Sequence, residues 1–260
     1  MMNILITNDD GIYAEGLWAL YKRFAKKHSV TVIAPDRERS AVGHGITLDE
    51  PLRVRKFERD DGYLGYAVSG TPVDCIKLGV VEMLDSCPDM VVSGINPGAN
   101  VGVNINYSGT VCAAKEAALY GIPAIAVSIQ GNQSDNYSDA AIFIEKLTMK
   151  IIKKGLPFGT FLNVNIPNIP MNKVAGIRIS RHANKLYSEY FKKRVDPRNR
   201  EYYWQGCDNQ TFDKDLDIDG AALGENFISI TPIKCDATDY SIIDDLKGWG
   251  ISEKDFLQRF

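Results

Sequence analysis

Short apolar runs alternate with amphipathic stretches through most of the chain. Ile4-Leu5-Ile6, Val30-Thr31-Val32-Ile33-Ala34, Met90-Val91-Val92-Ser93, Ala124-Ile125-Ala126-Val127-Ser128 and Phe161-Leu162-Asn163-Val164-Asn165-Ile166 read as strands, and the near-continuous apolar ones carry the pattern of parallel strands buried on both faces. Between the first two, Leu17, Leu20, Tyr21 and Phe24 recur at helical spacing with Lys22, Lys26 and Lys27 turned outward, which predicts an amphipathic helix. Strand, helix and strand within roughly 30 residues form a βαβ unit, so these strands should be parallel with a right-handed crossover. Further strand-like runs fall around Leu52 to Phe57 and Gly65 to Val68. A helix opens at Thr71-Pro72-Val73-Asp74, with Thr71 as N-cap, Pro72 as the first helical residue and Asp74 completing a capping box, and is expected to run through Ile76, Val80, Met83 and Leu84. An Ala-rich helix from Val111 to Tyr120 stops at Gly121 with Pro123 beyond, and an amphipathic one covers Ala140 to Lys153. The pattern predicts an α/β fold on a mainly parallel sheet.

Beyond Pro170 the pattern changes. Ile177 to Ser180, Glu201 to Trp204 and Phe227 to Pro232 look like strands without helical crossovers between them, which predicts an antiparallel C-terminal extension. The expected organisation is therefore a core over residues 1–170 and a β-rich extension over 171–260, partly packed on the core. Exposed hairpins carrying Tyr and Trp often complete a neighbouring subunit, so an oligomer is expected, a monomer folding its own arm back being the alternative. The pairs Lys153-Lys154 and Lys192-Lys193 read as solvated faces.

Composition narrows the function classes. The chain has 260 residues, 45% hydrophobic and 24% charged, with a formal net charge of -3. That balance gives no general reason to expect a nucleic-acid duplex or a membrane as partner, so an anionic ligand would have to be held locally. The N-terminus enters the first strand without a basic leader, and no apolar run approaches the ~18 residues of a membrane span, so a cytoplasmic protein is expected. Five scattered cysteines without a C-x-x-C pair are expected to be free thiols, Cys75 and Cys112 in apolar helix faces.

The candidate chemistry lies at strand ends, where open α/β sheets bind ligands. The first strand ends in Asn8-Asp9-Asp10-Gly11, and two adjacent carboxylates stay together only in water, by sharing a proton, or facing a cation. Ser40 follows the second strand, and Asn96 follows the strand ending at Ser93. Carboxylate, hydroxyl and amide oxygens suit Mg²⁺, Mn²⁺ or Ca²⁺ better than zinc or copper. From Asn96 to Thr110 the chain is rich in Gly and Asn and feeds a helix start, a ready anion site. Each feature also has a structural reading. Asp10-Gly11 is a common turn, Ser40 would cap a local turn, Asn96 precedes Pro97, and His44 between Gly43 and Gly45 is an exposed loop residue unless it donates to a phosphate. Gly43-His44-Gly45 lacks the third glycine and helix of a dinucleotide fingerprint.

Taken together, these motifs resemble the survival protein SurE family of metal-dependent 5′/3′-nucleotidases. The resemblance rests on the Asn-Asp-Asp-Gly opening, Ala34 to Thr47 (APDRERSAVGHGIT), Ser69 to Cys75 (SGTPVDC), Ser93 to Ala114 (SGINPGANVGVNINYSGTVCAA), Arg194 to Trp204 and Ile228 to Pro232. It implies a Rossmann-like core, hydrolysis of nucleoside monophosphates with a side activity on short polyphosphate, one Mg²⁺ or Mn²⁺ ion, and a homodimer or homotetramer built through exchanged C-terminal segments. Carried onto this sequence, the metal ligands would be Asp9, Asp10, Ser40 and Asn96, the two aspartates also serving catalysis. Asn96, Asn100, Ser108, Gly109 and Thr110, with Gly43 and His44, would face the phosphate. Three positions depart from the family pattern: Glu15 for a common proline, Ala117 for a frequent glycine and Asn199 for the usual glycine after Asp-Pro-Arg. The rivals are a haloacid-dehalogenase-type phosphatase, whose Asp-x-Asp spacing is missing here, and a non-catalytic nucleotide sensor.

Overall fold

The computed structural model describes all residues except 60, 132–133, 135, 185–188, 208–214 and 252–260. Strand β1 (Asn3–Thr7) is the fourth strand of a nine-stranded sheet. It is followed by helix α1 (Glu15–Phe24), β2 (Ser29–Pro35), β3 (Val54–Glu58), β4 (Leu64–Val68), α2 (Pro72–Leu78), β5 (Met90–Pro97), α3 (Gly109–Leu119), β6 (Ala124–Ile129), α4 (Tyr137–Lys154) and β7 (Thr160–Ile166). Past Pro170 come β8 (Gly176–Ile179), β9 (Glu189–Val195), β10 (Glu201–Cys207), α5 (Asp219–Gly224), β11 (Phe227–Lys234) and α6 (Ile243–Gly248).

The strand order is β3-β4-β2-β1-β5-β6-β7-β11-β8, with β4 through β7 all parallel. The chain winds outward from β1 to β2 on one side and returns to β5 on the other. The switch point of this doubly wound sheet is thus β1 itself, with Thr7 opposite Ser93 at its carboxyl end. Helices cover both faces. Ile4 and Ile6 point into a core with Leu17, Trp18, Leu20 and Phe24 of α1 and Ile144 of α4, whereas Leu5 points into another with Cys75, Ile76, Ala113 and Ala117 of α2 and α3. This alternation explains why β1 is apolar without interruption: both of its faces are interior.

Local signals act as expected at α2. Thr71 Oγ1 accepts from Asp74 N at 3.1 Å and Asp74 Oδ2 accepts from Thr71 N at 2.9 Å, a complete capping box. The helix does not continue regularly to Leu84; it passes into a π-helical turn at Gly79–Met83. The C-terminal part also differs in detail. β9 and β10 form a separate antiparallel hairpin, but β11 joins the main sheet antiparallel to β7, and β8 pairs parallel to β11. Short apolar strands carry no record of which edge they will occupy, and an open edge at β7 is available to them. Asn199, in the β9–β10 turn, adopts φ 59°, a left-handed conformation that asparagine tolerates better than other side chains, so it substitutes for glycine there. Cys75 and Cys112 are buried free thiols, as expected, and the Cys207 side chain lies outside the described residues. Among the described residues, no helix is long and apolar enough to cross a membrane.

Candidate active site

Beyond β1 the chain turns sharply, and Asn8 closes the turn: its Oδ1 accepts from Gly11 N at 3.2 Å and its Nδ2 donates to Gly11 O at 3.1 Å. Gly11 sits at φ +97°, and a Cβ there would come within 2.9 Å of the Arg37 carbonyl carbon, so aiming two carboxylates from this strand end requires glycine. Asp9 points inward and is 5% exposed. Thr110 holds both of its oxygens, the backbone N–H donating to Oδ2 at 3.0 Å and the hydroxyl making a shorter bond to Oδ1. Gly109 allows this approach, because a Cβ on it would lie 2.8 Å from Asp9 Cβ. Burial pushes the Asp9 carboxyl above the ordinary carboxylate range, although the two Thr110 donors pull the other way.

Asp10 is part-buried beside it, and its Oδ2 has no hydrogen-bond partner among the described residues. Burial first, then the charges of Asp9 and Glu38, raise its pKa from 3.8 to about 7. An acidic pair this close, with one oxygen orphaned, is the arrangement that a bound cation would relieve.

Asp9, Ser40, Asn96, Asn100 and Ser108 line one open pocket of about 310 Å³, with Asn104 and the half-exposed Tyr107 ring on the same wall. Two loops and two strand ends supply it. Ser40 Oγ donates to Glu38 Oε1 at 2.5 Å. Asn96 Nδ2 donates to Gly98 O at 2.6 Å, which leaves Oδ1 as the atom of that amide with lone pairs to offer. Ser108 is the N-cap of α3, its Oγ accepting from Val111 N at 3.1 Å, and its O–H remains free to donate. Gly43, His44, Gly109, Thr110 and Asp10 are not on this wall. The helix N-terminus read as a phosphate site is partly used already, since Thr110 N–H binds the Asp9 carboxylate.

His44 is drawn away from the pocket. Its Nε2 lies 2.7 Å from Glu116 Oε2 on α3, and Lys77 of α2 reaches Glu116 Oε1 at 3.2 Å. Burial would raise the Glu116 carboxyl, but the His44 and Lys77 bonds outweigh it and hold the group below its ordinary value.

The oxygen set fits a hard divalent cation better than a soft one. The pocket holds the Asp9 carboxylate, a hydroxyl and an amide oxygen, and the neighbouring Asp10 carboxylate adds an unpartnered oxygen. Among the described residues no three His, Cys, Asp or Glu side chains cluster in metal-binding fashion. Water would therefore complete the coordination, as is usual for Mg²⁺.

Several residues that shape the site escaped the sequence reading. Asn163 and Asn165 on β7 are fully buried. Both donate to Asn100 O, at 2.8 and 3.0 Å, and Asn165 Oδ1 accepts from Asn100 N at 2.8 Å. Asn100 Nδ2 in turn donates to Ser128 Oγ at 2.9 Å. Asp219, at the start of α5, accepts from Gly102 N and from Gly220 N, each at 2.8 Å, and so fixes the same loop from the C-terminal segment. The signal for the asparagines was available: two amides at alternate positions of an apolar strand share one face and need buried partners.

A mainly parallel, doubly wound α/β sheet with an oxygen-lined acidic pocket at its switch point defines the class of protein, a Rossmann-like α/β protein with a strand-end ligand site. Residues 4–189 match the family model "Survival protein SurE", and the chain belongs to that family. It is 54% identical to the 5′-nucleotidase SurE of Desulfatibacillum aliphaticivorans, over 97% of this chain and 100% of that protein. It is 47% identical to the 5′-nucleotidase SurE of Syntrophobacter fumaroxidans, over 96% of this chain and 100% of that protein. The crystal structure of the SurE protein from Aquifex aeolicus superposes with a TM-score of 0.83 at 36% identity, covering 95% of this chain and 99% of that one.

Proposed function

We propose that this protein is a cytoplasmic phosphomonoesterase that hydrolyses nucleoside 5′-monophosphates to nucleoside and phosphate, with 3′-monophosphates and short polyphosphate as further substrates. The observation that carries the reading is the Asp9-Asp10 pair at the switch point, with one Asp10 oxygen unpartnered and Asp9 lining a pocket walled by amide and hydroxyl groups. Membership of a family whose near-full-length relatives are named 5′-nucleotidases supports it.

In this reading Asp9, Asp10, Ser40 and Asn96 hold one divalent cation, Mg²⁺ or Mn²⁺. Such an ion, when bound, polarises a phosphoryl oxygen and lowers the pKa of water. The chain itself does the rest. Thr110 fixes the Asp9 carboxylate so that it needs little reorganisation on binding. One carboxylate of the pair takes the proton of the water that attacks phosphorus, a role worth roughly 10²–10⁴-fold in rate. The Ser108 hydroxyl and the Asn100 loop face the phosphate, and the open side of the pocket beside Tyr107 admits the nucleoside. Residues 1–170 act as the catalytic core, and 171–260 serve assembly as a homodimer or homotetramer. The exposed Phe191, Tyr203 and Trp204 of the β9–β10 hairpin support that role.

The test is phosphate release from a panel of 5′- and 3′-monophosphates and polyphosphate with Mg²⁺, Mn²⁺ or EDTA. Turnover of 5′-monophosphates that stops on chelation is expected. Metal-dependent binding of AMP without phosphate release would instead make the protein a sensor, and a trapped phosphoaspartate would replace direct water attack.

A further inference from the structure

The loop that carries Ser40 is fastened at its far end by a pair that the proposed chemistry does not use. We propose that His44 and Glu116 form a latch that positions Ser40 over the acidic pair, so that His44 is a positioning residue rather than a phosphate ligand. The proposal rests on the metal-site reading above, and it assigns work to two side chains outside the pocket.

Glu116 is almost buried, its side chain 9% exposed, on a helix whose other inward residues beyond Thr110 are small and apolar. A carboxylate in such a place is costly unless it is paired, and here each oxygen has its own cation or donor, His44 at 2.7 Å and Lys77 at 3.2 Å. The same helix grips Asp9 in its first turn through Thr110. Thr110 and Glu116 are separated by about 9 Å of helix rise. α3 therefore carries both contacts on one rigid element, the Asp9 grip in its first turn and the His44 end of the Ser40 loop further along at Glu116.

His44 is close enough to Ser40 for this to matter, since the intervening chain spans no more than about 14 Å when fully extended. Within it, Ala41 adopts φ 56°, a left-handed conformation that a non-glycine residue keeps only when its surroundings hold it there. The rest of the loop is also tied down: Gly43 N donates to Tyr107 O at 3.0 Å, and Thr71 Oγ1 donates to Gly45 O at 2.8 Å. Of these ties, His44–Glu116 is the one between ionisable side chains, made 72 residues apart in sequence.

The experiment measures Mn²⁺ affinity by calorimetry and inorganic phosphate affinity at saturating Mn²⁺, on the full chain and on His44→Ala, Glu116→Ala and the double variant. Hydrogen exchange across residues 40–47 is followed in the metal-free protein. Each single variant should weaken Mn²⁺ binding about tenfold or more, the scale for groups that orient a ligand. The double variant should be no worse than the singles, and exchange in the loop should speed up while α3 stays protected. Glu116→Gln and His44→Gln, which keep a hydrogen bond, should recover most of the affinity and carry the test if an alanine variant does not fold. Wild-type Mn²⁺ affinity in Glu116→Ala would overturn the latch. So would weakened phosphate binding in His44→Ala with Glu116→Ala silent, which would make His44 a phosphate contact. If the wild type binds no Mn²⁺, the metal reading falls, and the exchange data alone decide the latch: unchanged loop exchange in Glu116→Ala rejects it.

Discussion

Replacing Asp10 with asparagine should make the metal-free protein more stable, by an amount that grows as pH rises from about 4 to about 7. In the folded protein the Asp10 carboxyl titrates near 7, against 3.8 ordinarily, because it is buried beside Asp9 and Glu38. For a carboxyl whose pKa is raised by folding, the native state keeps a proton that the unfolded chain releases. Its contribution is complete below the unfolded value and is lost as pH rises through the folded one. The interval between 3.8 and about 7 corresponds to roughly 4 kcal/mol at most, less whatever solvent screens at this part-exposed site. An asparagine side chain is of similar size and carries no charge. Asp10→Asn should therefore gain about 2–4 kcal/mol over the wild type at pH 8.5 and no more than about 1 kcal/mol at pH 4.5.

Urea unfolding in EDTA across that pH range measures the gap directly. Mn²⁺ at a hundredfold its Kd should return about 2.7 kcal/mol to the wild type and nothing to the variant, so the gap narrows as the variant loses turnover. Equal stabilities in EDTA at pH 8.5, or a difference that does not change with pH, would refute the reasoning. Either result would mean that the acidic pair is not strained in the metal-free state.

Three further perturbations test the surroundings of the pair. Thr110→Val keeps the shape but removes the hydroxyl bond to Asp9, and should cost about 1.5–3 kcal/mol at pH 8 and less in acid, as read by urea unfolding. Gly109→Ala would bring a methyl group within 2.8 Å of Asp9 Cβ and 3.1 Å of Pro72 Cγ; a loss of about 1–3 kcal/mol is expected, with weaker Mn²⁺ binding by calorimetry. Asp219→Ala strands the Gly102 N–H in a buried site, and should cost on the order of 3 kcal/mol and raise the KM for 5′-AMP by loosening the Asn100 loop. An unchanged KM would show that the C-terminal segment does not shape the pocket.

Much of the site was legible because its polar residues interrupt apolar strands at their carboxyl ends. Asp9 and Ser40 follow the strands that became β1 and β2, Asn96 lies among the last residues of β5, and adjacency of those strands places all three on one pocket. Their partners were harder to see. Thr110 looked like a phosphate donor at a helix start, yet its N–H and hydroxyl are both spent on Asp9, 101 residues away. His44 lay in a plainly flexible-looking loop, and nothing near it in sequence announces Glu116. Asn163, Asn165 and Asp219 could be recognised as polar groups in apolar settings, but their common target, the loop after Asn96, becomes apparent only when β7 and α5 are packed beside it.

By itself the sequence determined the elements and their caps, because these depend on contacts within a few residues: the spacing of Leu17, Leu20 and Phe24, the uninterrupted apolar β1, and the Thr71–Asp74 capping box. It also determined the parallel winding of β1 and β2, since right-handed crossover leaves little choice. Tertiary structure decided where β11 and β8 attach, which way His44 faces, and why Asp10 is strained. Each of these depends on burial and on partners contributed by distant segments. A charge in the interior acquires its energy from whatever surrounds it, and a linear pattern does not record those surroundings.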